Sequence, residues 1–229
     1  MNKHTGFLLS YFKYGDNDAV LHCFTKEAGF QSFFLRGVYS AKNKKKAYLM
    51  PLNELSLTIY SQQSNAKLQS ISKIDAVGND DLYLDVKQNT IIFFIADFLN
   101  QTLKSEQENL ELFSEIKHLK DNLQTGNLYA HYAFLIKILN VFGLAPLVSE
   151  SNFLNVEKGI FEERISSQNL DQEISKIWKE ILIGDVGYEL KLEKTHRRKL
   201  MDSILMFYKN HFPDFYTPKS LQVIHQLFE

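Results

Sequence analysis

The chain has 229 residues, 45 % hydrophobic and 23 % charged, with 26 Lys and Arg against 27 Asp and Glu. This is ordinary globular material, enough for one large or two modest domains. Without an apolar run of about 18 residues it excludes a membrane-spanning helix. The opening MNKHTG lacks the charged-then-apolar layout of a secretory signal, so a cytoplasmic protein is expected. Cys23 is the sole cysteine, which excludes an intramolecular disulfide, a cysteine-based zinc site and a CxxC redox pair. Set among Val20, Leu21 and Phe24, it reads as a buried strand residue.

Short apolar and aromatic runs separated by turn signals fill the first eighty residues. They predict strands at Thr5 to Phe12, Ala19 to Thr25, Phe30 to Val38, Tyr48 to Tyr60 with a kink at Pro51, and Ala66 to Ile74. Gly15 to Asp18, Lys26 to Gly29 and Gln62 to Asn65 supply the turns. Five strands in so short a segment suit a small closed barrel of the OB kind, because closure removes exposed edges.

From Asp85 the period becomes helical, with Ile91, Ile92, Ile95, Phe98, Leu99 and Leu103 on one face. Further helices are expected at Glu106 to Asn122, Leu128 to Phe142, Asp171 to Ile183, Thr195 to His211 and Pro218 to Phe228, the last capped by Thr217. Ser149 to Ser167 reads as a loop or small hairpin. The expectation is an α+β protein of two domains, an OB barrel over 1–80 and an all-α domain over 81–229 with an irregular insert near 147–167.

Charge is segregated along this layout: residues 1–80 carry ten Lys or Arg against six Asp or Glu, and 190–229 seven against four. The middle is acidic, with five against nine over 81–150 and four against eight over 151–189. Within the first basic segment, Arg36 to Lys46 (RGVYSAKNKKK) holds five positive charges and no negative one. Placed between two strands, Arg36, Lys42, Lys44, Lys45 and Lys46 form a flexible cationic hairpin tip suited to track phosphates. The alternative is a solvated loop whose lysines discourage edge-to-edge pairing.

Single-strand binding also needs ring faces for bases. Phe30, Phe33, Phe34, Tyr39 and Tyr48 flank the loop, and Tyr39 and Tyr48 are the better candidates for exposure. The second basic cluster, Lys191, Lys194 and His196 to Lys199, opens a helix. There Arg197 and Arg198 point to different sides and serve either DNA or salt bridges within the helical domain.

Catalysis finds little support, since no Walker loop, GxSxG, HExxH or dinucleotide fingerprint occurs. The seven histidines show no metal-ligand spacing, and Asp16 and Asp18 are read as turn formers. Gly184 to Gly187 has the outline of a GXXG clamp, but an aspartate at its tip repels phosphate.

Several segments in order resemble the RecO family of bacterial recombination mediators. They are Gly6-Phe7-Leu8-Leu9, Tyr14 to Asp18, Phe24 to Gly29, Arg36-Gly37 with the lysine loop, Pro51-Leu52, Leu139 to Pro146, and Tyr208 to His211 followed by Lys219-Ser220-Leu221. The resemblance implies an OB barrel that binds single- and double-stranded DNA at Arg36 and the lysine loop. It further implies ATP-independent strand annealing and partnership with RecR in loading RecA onto strands coated by single-stranded-DNA-binding protein (SSB), in a nucleoid-associated setting. A site for the acidic, hydrophobic SSB tail is implied on the helical domain, and Phe134, Ile138 and Phe142 are either its lining or bundle core. Many relatives carry a four-cysteine zinc module after a Gly-x-x-Pro segment. No cysteine occupies the corresponding stretch, Leu147 to Ile165, so neither zinc nor another cofactor is expected and other contacts must hold it. The reading is therefore a non-catalytic DNA-binding mediator; the alternative is a protein–protein adaptor whose OB-type barrel binds peptides.

Overall fold

Alternation of apolar and polar residues over five short segments builds a barrel, seen in a computed structural model that describes residues 2–41, 43–60, 68–78, 81–167, 170–184 and 186–228. Its strands are β1 (Asn2–Tyr14), β2 (Asp18–Thr25), β3 (Gly29–Leu35), β4 (Glu54–Ile59) and β5 (Gln69–Ala76). They close in the order β1-β2-β3-β5-β4, with β4 returning to pair with β1. All pairs are antiparallel except β3 with β5. This is the OB topology expected from the strand count. Leu8, Leu21, Cys23, Phe33, Leu55, Leu57 and Ile74 fill the interior with no exposed surface. Burial pushes the Cys23 thiol pKa up, so it stays an uncharged core group.

Two expected strands are shorter than their apolar runs. β3 stops at Leu35, leaving Arg36 in the turn that follows, and the run from Tyr48 enters the sheet only at Glu54. The intervening Pro51-Leu52-Asn53 is a complete turn rather than a kink. Leu52 takes a left-handed backbone (φ 55°) there, a conformation that costs a non-glycine residue about 1 kcal/mol or more. Two hydrogen bonds offset this, Leu52 N donating to Leu8 O (2.6 Å) and Leu8 N to Asn53 O (3.0 Å), and the Leu52 side chain is fully buried. The expected Gln62 to Asn65 turn and Ala66 lie outside the described residues.

The chain divides into two compact units, 1–113 and 114–229. The first takes in, beside the barrel, α1 (Val86–Thr102) and the start of α2 (Leu110–Gln124). Asp85 caps α1 by accepting from Lys87 N and Gln88 N. α1 packs on β1, where Ser10 Oγ donates to Asn100 Oδ1 at 2.8 Å. α2 begins four residues later than its sequence pattern suggests. Glu106 O is already taken by Phe30 N (3.0 Å), and Asn109 Oδ1 supplies the cap to Leu112 N (3.0 Å).

The second unit contains α3 (Ala130–Val141), a hairpin of β6 (Phe153–Asn155) and β7 (Ile160–Glu162), α4 (Gln172–Leu182), α5 (Lys194–His211) and α6 (Leu221–Phe228). α6 starts after Pro218-Lys219-Ser220, which form a separate turn closed by Leu221 N donating to Pro218 O. Thr217 is therefore not its cap. Phe134 and Ile138 are fully buried in the core, so neither lines an open site; Phe142 is half-buried and meets Phe212 edge-on. Buried polar atoms are paired across the core, Trp178 Nε1 donating to Ser203 Oγ (2.9 Å) and Tyr208 OH to Leu135 O (2.8 Å).

The β6–β7 hairpin falls within the Leu147 to Ile165 stretch, and its residues do not fit a metal module. No cluster of three potential ligands occurs among the described residues. Its polar groups are committed elsewhere. Lys179 Nζ donates to Ser149 O (2.7 Å) and Ser151 O (2.9 Å), Leu154 N donates to Ser175 Oγ (3.0 Å), and Asn155 Nδ2 donates to Glu162 Oε1 (2.7 Å).

His131, on α3, is fully buried, and burial lowers its imidazole pKa to about 4. The unfolded chain then binds a proton near pH 6.5 that the folded chain refuses until about pH 4. Stability should accordingly be complete above pH 6.5 and fall as pH drops toward 4, by on the order of 3 kcal/mol from this group. Denaturant unfolding across that range checks this, and His131→Phe should flatten the acid limb.

Candidate nucleic-acid interface

Gly37 organises the basic loop. In a left-handed conformation (φ 66°) open to glycine, it donates through N to Asp18 Oδ1 (2.8 Å), and its carbonyl accepts from Ser40 Oγ (2.8 Å) and Asn43 Nδ2 (2.9 Å). Tyr39 N donates to Asn17 O at 2.9 Å, so the loop is tied down to the β1–β2 turn. Asp18, a turn former by sequence, is thus also an anchor.

Asn43 then accepts from Lys45 N (2.8 Å) and caps a short 3-10 turn, Lys44–Tyr48. Where the sequence suggests a flexible tip leading into a strand at Tyr48, the structure has a capped turn ended by buried Leu49. Asn53 Nδ2 holds the Tyr48 carbonyl (2.9 Å). With about three residues per turn, consecutive side chains fan out around the axis. Lys44 and Lys46 are exposed and Lys45 half-buried, while Lys42 lies outside the described residues.

Tyr39 and Tyr48 are less open than expected, since both pack against the barrel core. Tyr39 nevertheless gathers charge: Lys13 Nζ lies 5.8 Å and Lys46 Nζ 5.6 Å from its ring centroid. Burial, then the neighbouring Tyr11, raises its phenol pKa, so the ring stays neutral. Arg36 is exposed, its guanidinium carbon 5.9 Å from the Phe34 centroid. Among the described residues, no carboxylate pairs with Lys13, Arg36, Lys44, Lys45 or Lys46.

Exposed rings occur instead on β1, where Phe12 is 49 % and Tyr14 59 % accessible. Simple alternation from inward Leu8 would send both into the core. A bulge between Leu8 and Ser10 shifts the register, so that Ser10 opposes His22 and Phe12 opposes Val20 on the outer face. The two-residue spacing of Phe12 and Tyr14 was legible; the bulge was not.

The second basic cluster is built differently. Arg197 donates to Leu192 O (3.3 and 3.4 Å) and to Phe228 O (3.1 Å), and its guanidinium lies 4.7 Å from the Tyr129 ring centroid. Lys199 pairs with Asp171 at 2.7 Å, and exposed Arg198 approaches Asp202 at 4.0 Å. Lys191 and Lys194 are exposed.

Barrel closure and strand order define a protein of the OB-fold class. Family models for the recombination protein O N-terminal and C-terminal regions match residues 1–79 and 83–221. The chain belongs to the RecO family of DNA repair and recombination proteins. It is similar to the DNA repair protein RecO of Flavobacterium psychrophilum, 27 % identical over 237 residues that cover 99 % of this chain and 98 % of the relative. It is also similar to those of Flavobacterium johnsoniae (25 %, covering 99 % and 98 %) and Bacteroides fragilis (23 %, covering all of both).

The two arginines of α5 should behave differently. Arg197→Ala leaves two backbone carbonyls without their charged donor and should cost about 2 kcal/mol. Arg198→Ala removes an exposed pair and should stay within about 0.5 kcal/mol. Urea midpoints of the two variants against the parent protein check this.

Proposed function

We propose that this protein is a non-catalytic recombination mediator whose barrel captures DNA through Arg36 and the Lys42, Lys44, Lys45 and Lys46 turn. The observation that carries the reading is that, among the described residues, Lys13, Arg36, Lys44, Lys45 and Lys46 have no carboxylate ion-pair partner, while hydrogen bonds to Asp18, the Gly37 carbonyl and Asn43 order the backbone of the loop. Like charges brought together without counter-charge repel, and a phosphate backbone relieves that repulsion while releasing its own counterions. Phosphate contacts carry no base information, so both single- and double-stranded DNA are held.

Two strands drawn to one surface have their mutual repulsion screened and their local concentration raised, which speeds pairing without nucleotide hydrolysis. In this reading the protein anneals complementary strands and, with RecR, helps load RecA onto SSB-coated DNA, the helical unit receiving the SSB tail. It works in the cytoplasm, associated with the nucleoid. Arg198, exposed at the start of α5, is a separate DNA contact on the helical unit, whereas Arg197 serves the interior of that unit.

The test is the triple substitution Lys44→Glu, Lys45→Glu and Lys46→Glu. Affinity for oligonucleotides of unrelated sequence should fall together, by about tenfold or more at low salt. The log–log salt slope should flatten by about one for each phosphate left without its lysine. Unchanged affinity and slope would make the turn a solvated connection and remove the basis of the reading.

A further inference from the structure

The outer face of β1, β2 and β3 carries a contiguous aromatic surface that no phosphate contact requires. Register places Phe12 opposite Val20 and Val20 opposite Phe34 on one side of the sheet, and His22 opposite Ser10 and Ser32. On that side, His22 stacks on Phe30 (centroids 5.6 Å apart, 19° between planes) and approaches Phe12 (5.9 Å). Tyr14 meets Phe34 edge-on (5.7 Å, 85°), with Arg36 over Phe34. The rings thus form two adjacent platforms, each headed by one of the two exposed β1 side chains.

Charge brackets the platforms. Arg36 stands at the Phe34 end, and Lys104 is near enough to the other end for its charge to act on His22. A close approach fixes the Lys104 end: Gly29, at φ 68°, lies against the backbone of Gln107, where any Cβ would sit 2.3 Å from its carbonyl carbon. Phe30 N donates to Glu106 O. Of the acidic groups nearby, Asp18 accepts from Gly37 N and Glu106 from Asn109 Nδ2 (3.0 Å). Burial and the Lys104 charge also lower the His22 pKa, keeping the ring neutral and suited to stacking at physiological pH.

We propose that this face is a single-strand track, on which two consecutive unpaired bases stack on the Phe12–His22–Phe30 and Tyr14–Phe34 platforms while their phosphates pass between Lys104 and Arg36. The proposal rests on the DNA-binding reading above and adds a discrimination to it. A duplex keeps its bases stacked on each other and cannot use ring faces, whereas every unpaired base can, whatever its identity. The lysine turn then supplies affinity for any DNA, and the track supplies preference for single strands.

The experiment compares Phe12→Ala/Tyr14→Ala with Phe12→Tyr/Tyr14→Phe, each checked for an unchanged thermal midpoint, against a mixed-sequence single strand and the corresponding duplex. The alanine pair should lose about tenfold or more in single-strand affinity, keep its duplex affinity and keep its salt slope. The ring-retaining pair should bind both as the parent does. Equal loss for single strand and duplex, or no loss for either, overturns the track while leaving the lysine-turn reading standing. A parent protein that binds neither DNA overturns that reading as well.

Discussion

Neighbouring cations on Lys44, Lys45 and Lys46, joined by Lys13 and Arg36, impose the constraint on which the rest of the barrel surface depends. With no ion-paired carboxylate among the described residues, they repel, and the loop would splay if only charge acted on it. Backbone anchors oppose this. The Gly37 hub, the Asn43 cap and the buried Leu49 and Leu52 fix the backbone from both sides. The left-handed Leu52 belongs to the same scheme, its local strain offset by the paired hydrogen bonds to Leu8. In the proposed reading a polyanion, rather than the chain's own carboxylates, offsets this like-charge repulsion.

Much of this was legible in the residues. Alternation located five strands and their count implied closure; the charge run located the cationic turn; helical periods placed the helices to within a few residues. What escaped depends on partners distant in sequence. Nothing local in Pro51-Leu52-Asn53 announces that Leu8 will trade hydrogen bonds with it, so Tyr48 to Asn53 reads as strand. Glu106 reads as helix for the same reason, its carbonyl being claimed by Phe30 across the barrel unit. The bulge at Leu8/Ser10 has the largest consequence for the proposed track. One extra residue reverses the facing of Phe12 and Tyr14, turning side chains that alternation would bury into the most open rings beside the cations.

Arg197 and Arg198 show the same limit in the helical unit. Adjacent and chemically identical, they differ because Arg197 reaches Leu192 and Phe228 carbonyls and the Tyr129 ring, partners that no heptad count reveals. The β6–β7 hairpin is the structural counterpart. It is clamped by hydrogen bonds from Lys179, to Ser175 and between its own Asn155 and Glu162 side chains.

The proposed division of labour between a DNA-holding barrel and a helical unit is tested most directly by photo-crosslinking to an oligonucleotide carrying a photoreactive base, with the attached peptides mapped by mass spectrometry. The account predicts crosslinks within residues 10–48, centred on the β1 rings and the lysine turn. Crosslinks concentrated in 191–228, with the barrel unlabelled, would contradict it.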